Sequence, residues 1–154
     1  MVRYLPVIDS AGKKLLVSVE QQSDLHAEAH CEDDGDKLEK ENPGCFDDPA
    51  KTFADLYMKA GLYITEIVKR LYRSEGMKAA FPDEKERIRH ILQKQVYGMA
   101  PTRIICRIAT NYILGFDEEL KEELKNTHKH FVEADAAEAA KNGTLKELVE
   151  KCFG

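Results

Sequence analysis

The sequence predicts a mainly α fold: an antiparallel up-and-down bundle of three long helices plus a short C-terminal helix, with a small N-terminal β-hairpin. Three observations lead there. Apolar residues recur at spacings of three and four through most of the chain after residue 52. Helix start and stop residues punctuate those stretches, at Asp48-Pro49, Asp83, Gly115, Asp117 and Asn142-Gly143. At 154 residues the chain makes one core of ordinary size, which needs neither disulfide nor metal to hold it.

The hairpin is expected over residues 2–20. The β-rich runs VRYLPVI and KLLVSVE flank the turn-forming Asp9-Ser10-Ala11-Gly12, and Pro6 suits only an edge strand. Residues 21–47 read as a short helix near 23–31 and then an acidic loop ending in Asn42-Pro43-Gly44. The division that follows is 1–47 for hairpin and acidic loop and 48–154 for the bundle.

The first long helix is expected to start at Asp48, with Pro49 in its first turn, and to end at Ser74-Glu75-Gly76. Its stripe is Phe53, Leu56, Tyr57, Ala60, Tyr63, Ile64, Ile67, Val68 and Leu71. The second starts at Asp83, with Glu86 completing a capping box, and carries Ile88, Ile91, Leu92 and Val96. Pro101 removes a donor inside that pattern, so a kink is expected at 98–101 before Ile104, Ile105, Ile108, Tyr112 and Ile113 resume it. The third helix, capped by Asp117, presents Leu120, Leu124, Thr127, Phe131 and Ala134. Thr144 with Glu147 caps the short fourth, which carries Leu145, Leu148, Val149 and Cys152.

Net charge is −5, which argues against general affinity for nucleic acid. The charge is uneven. Residues 24–48 hold ten acids against Lys37 and Lys40, whereas the rest of the chain has 18 acids and 21 bases. The plain reading is a solvated acidic loop beside a weakly basic bundle. No apolar run approaches the ~20 residues that cross a bilayer, so no membrane insertion is expected. The first residues lack the apolar core of a signal peptide, which gives a cytoplasmic location by default. Cys31 and Cys45 flank the acidic loop and make either a bridge or two thiols, according to compartment.

Two sets of residues carry candidate chemistry. Arg103 and Arg107 lie four apart among isoleucines, on one helical face. A guanidinium buried there costs several kcal/mol unless a carboxylate or ligand answers it. With Thr102 as a hydroxyl, the pair forms a candidate site for a small anion; the bland alternative is an internal ion pair or solvation of the cations. His26, His30 and Cys31 lie within six residues, and a helix would place the two histidines on one face, where they could hold a metal; surface histidines beside an acidic loop are the plainer reading. His128 and His130 read as solvated. No nucleophile elbow, phosphate loop or dinucleotide fingerprint is present, so the chain reads as non-enzymatic and no cofactor is expected.

From Gln93 to Gly143 the chain resembles the N-terminal sensory (PilJ-type) domain of type IV pilus methyl-accepting chemotaxis transducers. That module is related to the input domains of nitrate/nitrite sensor kinases. The matching residues are Arg107-Ile108-Ala109, Asn111-Tyr112-Ile113-Leu114, the turn at 115–117 and Phe131. The resemblance implies an anion contact at Arg107 and then Arg103, at a helix–helix or subunit seam, and a location outside the cytoplasmic membrane. The expected function is a sensor-like domain for a small anion or organic acid, as a homodimer or with a signalling partner. The alternatives are a helical interaction protein and a metal-binding protein using His26, His30 and Cys31.

Overall fold

The computed structural model describes residues 3–8, 14–19, 27–115, 118–127 and 130–154. Its architecture is mixed α/β, not an antiparallel helical bundle. In chain order the elements are β1 (Arg3–Ile8), β2 (Lys14–Val19), α1 (Ala27–Glu41), β3 (Thr52–Asp55), α2 (Leu62–Arg73), α3 (Glu75–Ala80) and α4 (Glu84–His90). A π-helical turn (Ile91–Gln95) leads into β4 (Val96–Ala100), and then come α5 (Arg103–Leu114), α6 (Glu118–Thr127), β5 (Phe131–Glu133), α7 (Ala136–Lys141) and α8 (Leu145–Phe153).

The five strands form one sheet in the order β1-β2-β3-β4-β5. β1 and β2 pair antiparallel, and each later strand joins its predecessor parallel. The first two strands are therefore not an appendage to a bundle but one edge of the sheet, which runs across the boundary expected between residues 47 and 48.

Each parallel strand is laid beside the one before it, so right-handed crossovers carry the intervening helices over one face. Burial follows that rule. Phe53, Val96 and Ala100 pack with Leu38 of α1, Ile64, Ile67 and Leu71 of α2, and Ala109 and Ile113 of α5. Alternate strand residues, Ala54, Met99 and Val132, face the other way and meet Ala136 of α7 and Val149 of α8. The result is three layers: helices, sheet, and a short C-terminal helical pair.

The long helices expected from the pattern are broken by strands for a physical reason. A parallel strand covered on both faces shows a continuous apolar run instead of alternation. All four residues of β3 are buried, as are four of the five in β4. Asp48 does not cap a helix: its Oδ1 accepts from Ala50 N at 2.9 Å and its carbonyl from Lys51 N, a turn that leads into β3. Gly61, at φ 83°, forms the N-cap of α2 and blocks any earlier start. Pro101 lies between β4 and α5, so it kinks no helix. Residues 93–143, which carry the family resemblance, hold two strands among their helices.

Other starts agree with the sequence reading. Asp83 Oδ1 accepts from Glu86 N at 2.9 Å at the start of α4. Helix α5 ends at Leu114, before Gly115. Asp117 lies outside the described residues, and Thr144 precedes α8 without a side-chain cap. The acidic stretch expected as a loop is largely helical, as α1. The turn after it is not wholly solvated, since Cys45 and Phe46 are buried and Phe46 stacks on Phe53 at 5.3 Å.

Buried polar groups fasten the segments between strands. Gln95 is fully buried, and its Nε2 donates to the carbonyls of Asp48 and Lys51, which ties the entry of β3 to that of β4. His130 is buried rather than solvated: Nδ1 lies 2.8 Å from the Val96 carbonyl and the ring stacks on Tyr97. His128 lies outside the described residues.

Candidate functional site

The arginines of the chain behave in opposite ways. Arg70 on α2 is answered three times, by Asp36 at 2.8 Å, Glu66 at 2.8 Å and Glu39 at 3.5 Å. Gly35 permits that arrangement, because a Cβ there would lie 2.5 Å from the Arg70 Nε. Arg89 makes a two-pronged pair with Glu123 at 2.7 Å. Arg87 is the buried guanidinium, 5% exposed. It lies over the Tyr72 ring at 4.6 Å, and its Nη1 donates to the Phe81 carbonyl.

Arg103 and Arg107 differ from all three. Both are exposed, and among the described residues neither has a hydrogen-bond or ion-pair partner. The buried cation pair expected from the sequence is thus not formed. Thr102 is exposed as well, and its hydroxyl is used to cap α5, accepting from Ile105 N at 3.3 Å.

The isoleucines around the pair are exposed too. Ile104 is 72% exposed, Ile108 55% and Tyr112 47%, and these are the large exposed apolar side chains among the described residues. They stand at i, i+4 and i+8, so they form one stripe within about 80° of the helix circumference. The inward row, Ile105, Ala109 and Ile113, is offset from it by about 100° and packs on the sheet and α2. Sequence reasoning marked Ile104, Ile105, Ile108, Tyr112 and Ile113 as one apolar set, without Ala109, and did not separate the rows. A helix with two apolar stripes is itself the missed signal.

The carboxyl edge of the parallel strands is the second place to look, because α/β proteins bind ligands there. Asp55 ends β3 and is 8% exposed. It accepts from Tyr57 N at 2.9 Å, and burial pushes its carboxyl up to about 6, against the lowering effects of that N–H and of Lys59. Burial, and then the charge of Asp135, raises the Tyr57 phenol. The Cys106 thiol is raised chiefly by burial, with Glu133 adding to it and Thr110 opposing it.

Beside this edge an open groove of about 590 Å³ runs between β5, α7 and α8, with Glu133, Asp135, Glu138 and Glu147 along it and Lys151 and Cys152 at one side. The four carboxylates and the lysine are exposed, so the groove is a solvated acidic face.

His26 lies outside the described residues, and His30 and Cys31 lie in α1. Among the described residues no three His, Cys, Asp or Glu side chains are placed to hold a metal ion. Cys45 is a buried free thiol, pushed up to about 11 by desolvation first and by Glu39 second. No helix among those described is long and apolar enough to cross a membrane. No family model, curated protein or solved structure matches the chain.

Proposed function

We propose that this chain is a protein-interaction module whose docking surface is the outer face of α5. One observation carries the reading: Ile104, Ile108 and Tyr112 form a continuous apolar stripe in water, on a helix whose other side is already committed to the core. Burying such side chains is worth about 1.5–3 kcal/mol each. Scattered exposed apolar residues need no explanation, but three in register on one helix match the anchor spacing of helix-mediated recognition.

The sensor reading of the same helix needs Arg103, Arg107 and Thr102 to enclose a small anion, and all three are exposed. Docking uses the same cations without an enclosing cavity. They form the charged rim beside an apolar centre, which is the usual anatomy of an interface.

A photo-crosslinking residue at position 108 of the full chain, set against one at position 150 on α8, tests the proposal. The expected result is discrete adducts from position 108 that Ile104→Asp removes, with none from position 150. Equal labelling from both positions, or adducts at 108 indifferent to Ile104→Asp, would reject α5 as the docking face.

A further inference from the structure

Resting on the reading of α5 as a docking face, we infer that its partner is an acidic amphipathic helix: apolar anchors spaced three and four apart, with carboxylates along one flank. The argument begins from charge. Arg103 and Arg107 border the apolar stripe on the side away from the core, one turn apart, and neither has a partner among the described residues. In a chain of net charge −5 whose Arg70 and Arg89 are answered by its own carboxylates, Arg103 and Arg107 place two guanidinium groups without partners among the described residues one turn apart on a single helix face.

The helix terminus adds to the local field. Arg103 is the first residue of α5, where the positive end of the backbone dipole disfavours a cation. The first turn of α5 holds no acid, whereas α3, α4, α6, α7 and α8 each place glutamate there. Dipole and guanidinium groups therefore add at one end of the stripe, and nothing on α5 offsets them. Carboxylates brought by a partner would meet both.

A second copy of the same face fits less well. The α5 sequence RIICRIATNYIL contains no acidic residue. In an antiparallel self-pairing about an axis through Ile108, the arginine rows of both helices fall on the same side of the seam, and Arg107 meets its own symmetry mate. An acidic helix places opposite charge along that row and buries the stripe.

Two designed peptides test this by fluorescence anisotropy with the full chain. Both are alanine-rich helices with leucines at i, i+4 and i+7, one flanked by glutamates and the other by lysines at the same positions. The glutamate peptide is expected to bind at least about tenfold more tightly than the lysine peptide, and to lose that advantage as salt is raised to about 0.5 M. Arg103→Glu with Arg107→Glu should reverse the preference, and Ile108→Asp should abolish binding of both peptides; all of these positions are exposed, and circular dichroism is the check that the variants stay folded. Equal binding of the two peptides overturns the acidic partner while leaving α5 as a docking face. Binding that Ile108→Asp does not change, or no binding of either peptide, overturns the inference, and the first of these overturns the docking face with it. A dimer of the chain that Ile108→Asp dissolves identifies a second copy as the occupant and overturns the acidic partner.

Discussion

Helices α2 and α5 are the same length and lie side by side in one layer, yet they differ in what they leave undone. In α2 the apolar side, Ile64, Ile67, Val68 and Leu71, is buried, and Arg70 is held by three carboxylates. In α5 one apolar side is buried and a second is not, and its arginines stand without partners among the described residues. The difference teaches how to separate structure from interface on a helix. A helix that serves only the fold spends its apolar surface once; a helix that also serves a partner keeps a second apolar row in water with cations beside it.

The sharpest way to break this comparison is to cut one residue from each stripe. Leu71→Ala removes a fully buried side chain and should cost about 4 kcal/mol in urea unfolding. Ile108→Ala should change stability by less than about 0.5 kcal/mol while weakening peptide binding. A large stability loss at Ile108 would show that the outer stripe belongs to the core.

Next in size is the seam between the two helices. Gly61 has φ 83°, and a Cβ there would lie 2.9 Å from the Ala109 carbonyl oxygen. Gly61→Ala should cost about 3 kcal/mol, from left-handed strain together with the pressure on α5. A melting curve unchanged by this substitution would mean that the helices are not held as closely as the structure places them.

The segment that delivers α2 begins at Asp55, whose carboxyl is raised from 3.8 to about 6. The native state then holds the proton more tightly than the unfolded chain. Its contribution to stability is fully present below about pH 4 and is lost as pH rises through about 6. Asp55→Asn, which keeps an oxygen for the Tyr57 N–H, should raise stability at pH 7.5 by about 2 kcal/mol and flatten the profile between about pH 4 and 6. Denaturant titrations of both proteins across that range check the sign; a destabilised variant at pH 7.5 would show that the carboxylate is compensated by more than Tyr57 and Lys59.

The smallest effect compares the cations. Arg70→Ala leaves Glu66 and Asp36 without their partner and should cost about 1 kcal/mol, less at high salt. Arg107→Ala should leave the melting temperature unchanged.

What could be read from the chain follows from where its patterns are unambiguous. Asp83 with Glu86 marks the start of α4, and the β-rich runs around residues 9–12 mark two strands, because both signals are local. Strands β3, β4 and β5 were hidden. They are three to five residues long, two of them are covered on both faces, and their apolar residues continue the three-and-four spacing of the helices beside them. Two hints remained in the sequence: Val96-Tyr97 between polar Gln95 and Gly98, and Pro101 just after Ala100. For the site, the sequence singled out the Arg103 and Arg107 pair but gave it the wrong surroundings. Ile104, Ile108 and Tyr112 are as apolar as Ile105, Ala109 and Ile113, so nothing in α5 alone says which row turns inward. That choice is made by the sheet and by Gly61.

The order of the sheet bears on how the molecule is made. Each strand after β2 lies beside the one synthesised just before it, so pairing can keep pace with emergence from the ribosome. The rear of the sheet is another matter. Ala54, Leu56 and Met99 wait for Ala136 and Val149, which come much later in the chain. A nascent chain is therefore greasy on that side until residues 136–149 have emerged, and one stopped before residue 136 keeps that face uncovered and prone to clump.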